Sequence, residues 1–505
     1  MSALARFRRV EGSPSLASFF TMYDVAATAV FISILAVAAV PRFDTDFWWH
    51  LFTGAHIVAS GVPTKDFLSY TAAGHTWIDH EWLSELLLYG AAKVGGFGLV
   101  LSVFALITAG AFLASFSLMK ARGVQPMLGL FLILLAAVST VATWGPRIQM
   151  ITLLFAGLFC FVLERYRATA SPKWLWALTV GMLLWSNLHG GFAVGLILIG
   201  AYLVGGTFDR VHEGMSWRQA MKRQRPLACT LVACFAVTFI NPNTYHTALY
   251  PLRFITPNKF TDTIQESLSP NFHLFQMLPF ELLLLGLLVC ALMTRRRVSW
   301  IDIAICIVFT HLALQQTRNV DLWCIVVLPI FGYYLQDAAL PVSQRLGRMN
   351  RPLAAAKLPM LNWLLLACIC IAGVSFIFRA DSPANVLAAA QANAPTRAVN
   401  WLKAHPPKGN GFNSYSYGGY LIWATTGSIP VFIDSRADTV YSDSILRDYL
   451  AIYNAQPSWH ELLKHYDIRW VFVEKSAPIA AVLSQADGWR AVYTGPEAII
   501  YEQQP

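Results

Sequence analysis

Asp44 and Asp46 stand two residues apart in the run R-F-D-T-D-F-W-W-H, directly after the first long apolar segment. A carboxylate there can act as a general base and take the proton of an acceptor hydroxyl. Its neighbour can position that acceptor, or hold a divalent metal such as Mg or Mn through oxygen. Only one of the two need be catalytic. The plainer alternative is that both solvate a helix end or pair with Arg42. Arg147 and Arg318 each offer a planar guanidinium fork that matches phosphate oxygens, although a lone loop arginine also commonly snorkels to an interface. His189, between Asn187 and Gly190-Gly191, can donate to a leaving phosphate or simply occupy a tight turn. If Asp44 to Thr53 is helical, Asp46, Trp49, His50 and Thr53 share one face. Asp79-His80-Glu81 stands at the start of a second amphipathic run from His80 to Lys93. Capping and surface exposure are the plain expectation, because adjacent residues on a helix rarely face one ion; metal ligation by the three, or an auxiliary role of His80 and Glu81 at an acceptor, is the functional one.

Two further clusters lie near the carboxyl end, Tyr415-Ser-Tyr417-Gly-Gly-Tyr420 and Phe432-Ile-Asp434-Ser-Arg436-Ala-Asp438. Aromatics beside glycine turns can stack on sugar rings, and acids can bind sugar hydroxyls. Tyr417, Asp434 and Arg436 are therefore candidates for acceptor binding or for a lid. Ordinary strand-end and turn chemistry is the stronger expectation.

These residues need elements to position them. The chain has 505 residues, 56% apolar and only 13% charged, which is the balance of a polytopic membrane protein. All eight cysteines fall in apolar segments without Cys-x-x-Cys spacing, so neither a zinc site nor a disulfide framework is expected. About eleven apolar segments are candidate transmembrane helices. They are 23–40, 97–119, 127–143, 148–163, 174–187, 191–206, 227–240, 278–293, 300–314, 320–335 and 360–378. With the amino end inside, the inner loops carry 20 Lys and Arg and the outer loops 7. The inner set includes Arg6, Arg8, Arg9, Arg345, Arg348, Arg351 and Lys357. That bias fixes an amino-in, carboxyl-out orientation. It also assigns the net charge of +9 to membrane lipids as partner, not to nucleic acid.

The expected organisation is a basic leader at 1–21 and a transmembrane domain at 22–378, with outer loops at 42–96 and 241–275. A soluble α/β periplasmic domain follows at 379–505. In that domain 396–405, 444–453, 458–465 and 478–485 read as helices, and 429–433, 468–473 and 498–501 as strands. The middles of the spans are almost free of charge, His311 being the best exception, which argues against a proton-coupled pump. Ionisable groups gather instead at outer ends: Asp44, Asp46, Glu81, Arg147, His189, Glu281, Arg318 and Asp321. A site at that level can receive a lipid headgroup from the side and a soluble substrate from outside.

An acidic pair straight after the first span, interface helices in that loop, many membrane helices and an outer carboxyl-terminal domain resemble the GT-C superfamily of integral-membrane glycosyltransferases. D-T-D-F-W-W-H-L, G-V-P-T-K-D-F-L-S-Y-T and W-I-D-H-E-W-L-S-E-L also resemble a group of bacterial membrane proteins placed near those enzymes. The sequence-level resemblance covers about the first quarter of the chain. It implies transfer of a sugar from a polyprenyl-phosphate-linked donor to a glycan, lipid or protein acceptor. The location implied is the outer face of the bacterial inner membrane. By the same resemblance Asp44 or Asp46 is the catalytic carboxylate, and arginines at outer helix ends hold the lipid phosphate. The W-W-D motif of the oligosaccharyltransferase branch is absent from the carboxyl-terminal part, so protein N-glycosylation is not implied. Two other functions compete. One is haem handling through Trp48-Trp49-His50 and His189; the other is non-catalytic lipid binding or assembly on a GT-C scaffold.

Overall fold

The computed structural model describes residues 21–254, 260, 263–339 and 359–504. The leader up to residue 20, Lys259, Asp262 and the inner-loop cations Arg345, Arg348, Arg351 and Lys357 lie outside the described residues. The chain is mostly helical. Helix α1, Met22–Ala38, starts where the Asp24 carboxylate accepts the Thr21 backbone N–H at 2.7 Å. Helix α2, Asp46–Ser60, carries the acidic pair at its start and ends at Gly61. Helix α3, Trp82–Ala121, has non-helical backbone at Gly95 and Gly96, where the sequence places a break. Helices α4 (Pro126–Thr140), α5 (Gln149–Thr169), α6 (Leu175–Leu188), α7 (Ala193–His212) and α8 (Trp217–Val237) follow. Further helices span Leu278–Met293, Trp300–Gln315, Val320–Val326, Leu328–Ala338 and Pro359–Ala380.

Every expected apolar segment is largely helical. Among the described residues, six helices are long and apolar enough to cross a membrane, or seven if the pair bent by 58° at residue 327 counts as one span. Met22–Ala38 and Trp300–Gln315 are apolar but shorter. The difference from eleven is one of length: α6 has only 14 residues, and the first half of α8 is polar and basic.

Helix α2 is seated on α3 at very close range. A Cβ on Gly54 would stand 2.2 Å from the backbone oxygen of Glu85, so only glycine admits this approach. Around it Phe43, Phe47, Trp48 and Phe97 pack with ring centroids 4.7–6.0 Å apart. Trp48 also meets Tyr420 at 5.0 Å and Trp423 at 4.7 Å, from the carboxyl-terminal helix Tyr415–Ala424. Gly419 makes that contact possible, since a Cβ there would lie 2.6 Å from the Thr45 oxygen.

The carboxyl-terminal unit holds a four-stranded sheet of order β1-β2-β4-β3, with β1 Asn410–Asn413, β2 Ile468–Val473, β3 Trp489–Thr494 and β4 Ile499–Gln503. The pair β1/β2 is parallel; β2/β4 and β3/β4 are antiparallel. Helices Thr396–Ala404, Asp443–Tyr453, Trp459–His465 and Pro478–Leu483 match the expected positions. One expectation is corrected: 429–433 is not a strand of this sheet. The Asn413 side chain takes the Phe432 N–H and the Ile433 carbonyl, each at 2.8 Å, and so occupies the groups a strand would offer β1. Val431 pairs instead with Leu68 and Tyr70 of the first loop. This ties the carboxyl-terminal unit to the loop that carries the acids.

Candidate functional site

Asp44 accepts the Phe47 N–H at 2.9 Å, satisfying a donor in the first turn of α2, and its Oδ2 lies 2.8 Å from Arg147 Nε. The anticipated Arg42 pairing does not form, because Arg42 Nη1 donates to the Val141 carbonyl at 2.7 Å. Arg147 also reaches Glu266 of the second loop. Burial works against its charge, but Asp44 and Glu266 outweigh that and raise its pKa. Asp46 forms no ion pair among the described residues and takes the Trp49 Nε1–H, at 3.4 Å. Burial, and next the Asp44 charge, push its carboxyl up to about 7.

Behind α2 lies a second polar layer. Trp82 Nε1 donates to Asn187 at 2.9 Å, Ser84 to the Leu188 carbonyl at 2.6 Å, and Asn243 to the Asp79 carbonyl at 2.7 Å. These bonds fix the segment 79–84 against the α6–α7 turn. Asp79 and Glu81 are therefore buried and His80 half-buried, and the expectation of exposed capping residues is corrected. Glu81 reaches His50, His80 and His189 at 3.3–3.6 Å. Burial pulls the His80 ring down to about 4 and the His189 ring down to about 3. Burial first, then Asp46, Asp79 and Asp44, hold Glu81 well above the usual carboxylate range. Burial also pulls His50 well below its usual range, so it disfavours the charged form of all three imidazoles.

These groups open on a single cavity of about 1630 Å³. Asp44, Asp46, Glu81, Arg147, His189 and Arg318 all line it, as do His50, His80 and Arg436. Tyr415, Ser435 and Arg436 contribute from the carboxyl-terminal unit, and His311 and Gln315 from an apolar helix. Glu281 and Asp321 are not among the lining residues; Asp321 accepts from Thr143 at 2.6 Å. Tyr417 and Asp434 do not line it either. Tyr417 donates to the Glu497 carbonyl at 2.7 Å, within its own unit. Asp434 is fully buried under Arg436 and Tyr441. Arg436 spends its guanidinium on Asp434 and Asp66, so it forms wall more than ligand contact.

Several wall residues were not singled out from sequence. Glu266 was one charge among several in a long loop, and Tyr415 only the start of an aromatic run. Outside the wall, Glu85, four residues after Glu81, is the fully buried partner of His50 at 2.8 Å, a contact that no local pattern shows. Among the described residues no three His, Cys, Asp or Glu side chains are placed to hold a metal ion. Asp44 is moreover committed to Arg147, so the residues present do not form a ready metal site and no step is derived through one. His50 has Glu85 on Nδ1 and Glu81 on Nε2, and His189 has Gly191 on Nδ1 and Glu81 on Nε2. Haem ligation would require an open nitrogen.

The archaeal oligosaccharyltransferase AglB from Archaeoglobus fulgidus, solved in complex with an inhibitory peptide and a dolichol-phosphate, matches this architecture with a TM-score of 0.57. The match covers 90% of this chain and 70% of that one, at 11% identity. The likeness to that membrane oligosaccharyltransferase is one of fold. Two structures of ArnT from Cupriavidus metallidurans are also similar at 14% identity, one apo and one bound to undecaprenyl phosphate. Their TM-scores are 0.48 and 0.49; they cover 95% and 94% of this chain and in both cases 97% of their own. No family model matches the chain, and no curated protein does. Within this fold the cavity lies between the helical bundle and the carboxyl-terminal unit, with residues of both in its wall.

Proposed function

We propose that this chain transfers a sugar from a polyprenyl-phosphate carrier to an acceptor hydroxyl at the outer face of the bacterial inner membrane. The carboxyl-terminal unit would then be periplasmic. The observation that carries this reading is the convergence of Asp46, Arg147, His189 and Arg318 on one cavity with both apolar and polar walls. The dolichol-phosphate bound by AglB is a carrier of the same chemistry.

The reaction is a direct displacement at the anomeric carbon. Asp46, with its carboxyl near 7, is matched to neutral pH as the base that takes the acceptor proton. Asp44 is instead the residue that orients Arg147, through the 2.8 Å ion pair. Arg147 and Arg318 hold the phosphate, placing fixed positive charge where the leaving group gains negative charge. Glu266 must yield part of its hold on Arg147 for the phosphate to enter.

The test is reconstitution of the purified protein with a polyprenyl-phosphate-linked sugar, read by mass spectrometry of the lipid. Release of free polyprenyl phosphate, abolished in Asp46→Asn, is expected. Full turnover in Asp46→Asn would remove the mechanism.

A further inference from the structure

Three imidazoles converge on one carboxylate. Glu81 Oε1 lies 3.3 Å from His189 Nε2 and 3.6 Å from His80 Nε2, and its Oε2 lies 3.4 Å from His50 Nε2. Bonds on the far sides of two rings fix their protons. The Gly191 N–H at 2.9 Å and the Thr152 hydroxyl at 2.8 Å both meet His189 Nδ1; a backbone N–H can only donate, so that nitrogen accepts and the ring proton sits on Nε2, toward Glu81. His80 is the reverse. Its Nδ1 faces the Ile78 carbonyl at 3.2 Å, which can only accept, so Nδ1 holds the proton. The neutral His80 ring then turns a bare Nε2 toward Glu81. At 3.6 Å this is a contact and not a hydrogen bond, but an ionised Glu81 would set lone pairs against lone pair.

The surrounding charges point the same way. The carboxyls of Asp44, Asp46, Asp79 and Glu85 all act on Glu81 or on its neighbours. Of the guanidiniums lining this cavity, Arg147 is held by Asp44 and Glu266 and Arg436 by Asp434 and Asp66, while Arg318 Nε donates to Gln316 at 2.9 Å. Behind His50, Glu85 and Asp79 form a buried acid pair, each with one oxygen lacking a hydrogen-bond donor. A buried carboxyl among like charges, with no guanidinium of its own, is more stable neutral.

We propose, on the basis of the transferase reading above, that Glu81 enters the reaction protonated and gives its proton to the departing phosphate oxygen. As the acceptor oxygen bonds to the anomeric carbon, Asp46 takes the acceptor proton. The carbon–oxygen bond to the phosphate breaks with its electron pair on oxygen, and Glu81 protonates that oxygen. Net, one proton passes from acceptor to phosphate, and the cycle resets when Asp46 returns a proton to Glu81 through solvent. Base and acid are thus two carboxyls in unlike surroundings, as in inverting glycoside hydrolysis. His189 turns its Nε2–H toward Glu81 at 3.3 Å, and the bare Nε2 of His80 at 3.6 Å favours the protonated over the ionised carboxyl.

Infrared difference spectra of the full-length protein in nanodiscs at pH 7, wild type minus Glu81→Gln, read the proton without any substrate. Loss of a protonated-carboxyl band is expected; loss of carboxylate bands instead would overturn the proposal. Glu85→Gln, measured alongside, identifies the separate band of that buried acid. With a polyprenyl-phosphate-linked sugar, Glu81→Gln should slow turnover about 10²–10⁴-fold, and Glu81→Asp should recover part of it. Wild-type turnover in Glu81→Gln would also overturn the proposal. If wild type itself transfers no sugar, the transferase reading fails and the phosphate role falls with it, while the infrared result still decides where the proton sits.

Discussion

Arg436 Nη1 lies 2.6 Å from Asp66 Oδ1, joining the carboxyl-terminal unit to the first loop through two side chains with no solvent exposure. Nη2 and Nε of the same guanidinium clasp Asp434, and the guanidinium lies 4.5 Å over the Trp77 ring. Removing one member of a buried ionic network leaves the others uncompensated, at a cost of about 3–5 kcal/mol. Arg436→Met should therefore lower the thermal midpoint in detergent sharply and expose 379–504 to protease. Adding Asp66→Asn and Asp434→Asn should restore part of the loss. An unchanged midpoint in Arg436→Met would show that the clasp does not hold the two parts together.

Asp46→Asn is expected to move stability and turnover in opposite directions. The Asp46 carboxyl rises from 3.8 to about 7 in the folded chain. Between those values the native state keeps a proton that the unfolded state has lost, so the wild type loses stability as pH rises from about 4 to about 7. The variant lacks that penalty. Its thermal midpoint should exceed the wild type's at pH 8 and approach it at pH 4, while turnover collapses. Wild-type turnover should itself rise through pH 7 as the base ionises. Equal midpoints at every pH would contradict the assigned burial of this acid.

Arg147→Lys keeps the charge but loses the fork. One ammonium cannot meet Asp44, Glu266 and a phosphate in one plane. Polyprenyl phosphate co-purified in mild detergent should fall at least tenfold in this variant and in Arg318→Gln, by quantitative lipid mass spectrometry. Retention of the lipid in both would remove these arginines from the phosphate site.

Gly54→Ala tests the seat of α2. The new methyl would press on the Glu85 backbone oxygen, which cannot rotate away. Overpacking of this kind costs about 1–3 kcal/mol. The predicted result is a lowered midpoint with weakened turnover, since the acids at 44 and 46 shift with their helix. Gly200→Ala, where the space is open, serves as the control.

The helices of the bundle were legible because long apolar runs leave the backbone one way to satisfy its polar groups. The acidic pair and its arginine were legible as residue types at helix ends, and the cavity gathers them together with His189 and Arg318. Their partners were not. That Asp44 faces Arg147 and not Arg42 depends on where the 144–148 turn lands, which no local pattern encodes. The strand expected at 429–433 was lost to a side chain, Asn413, imitating a neighbouring strand. Glu81 looked like a surface cap because it begins an amphipathic helix. Its burial comes from Asn187, Leu188 and Asn243, about a hundred residues or more away.

The cavity wall also imposes an order on biosynthesis. Asp44 and Asp46 are made early, whereas Tyr415 and Arg436, which complete the wall, follow about 370 and about 390 residues later. At about 5–20 residues per second that interval is roughly 20–80 s. Throughout it the membrane helices can insert while the acids, the histidines and Arg147 stand uncovered. A ribosome that stalls before residue 415 would leave an inserted bundle whose cavity lacks the wall residues Tyr415 and Arg436.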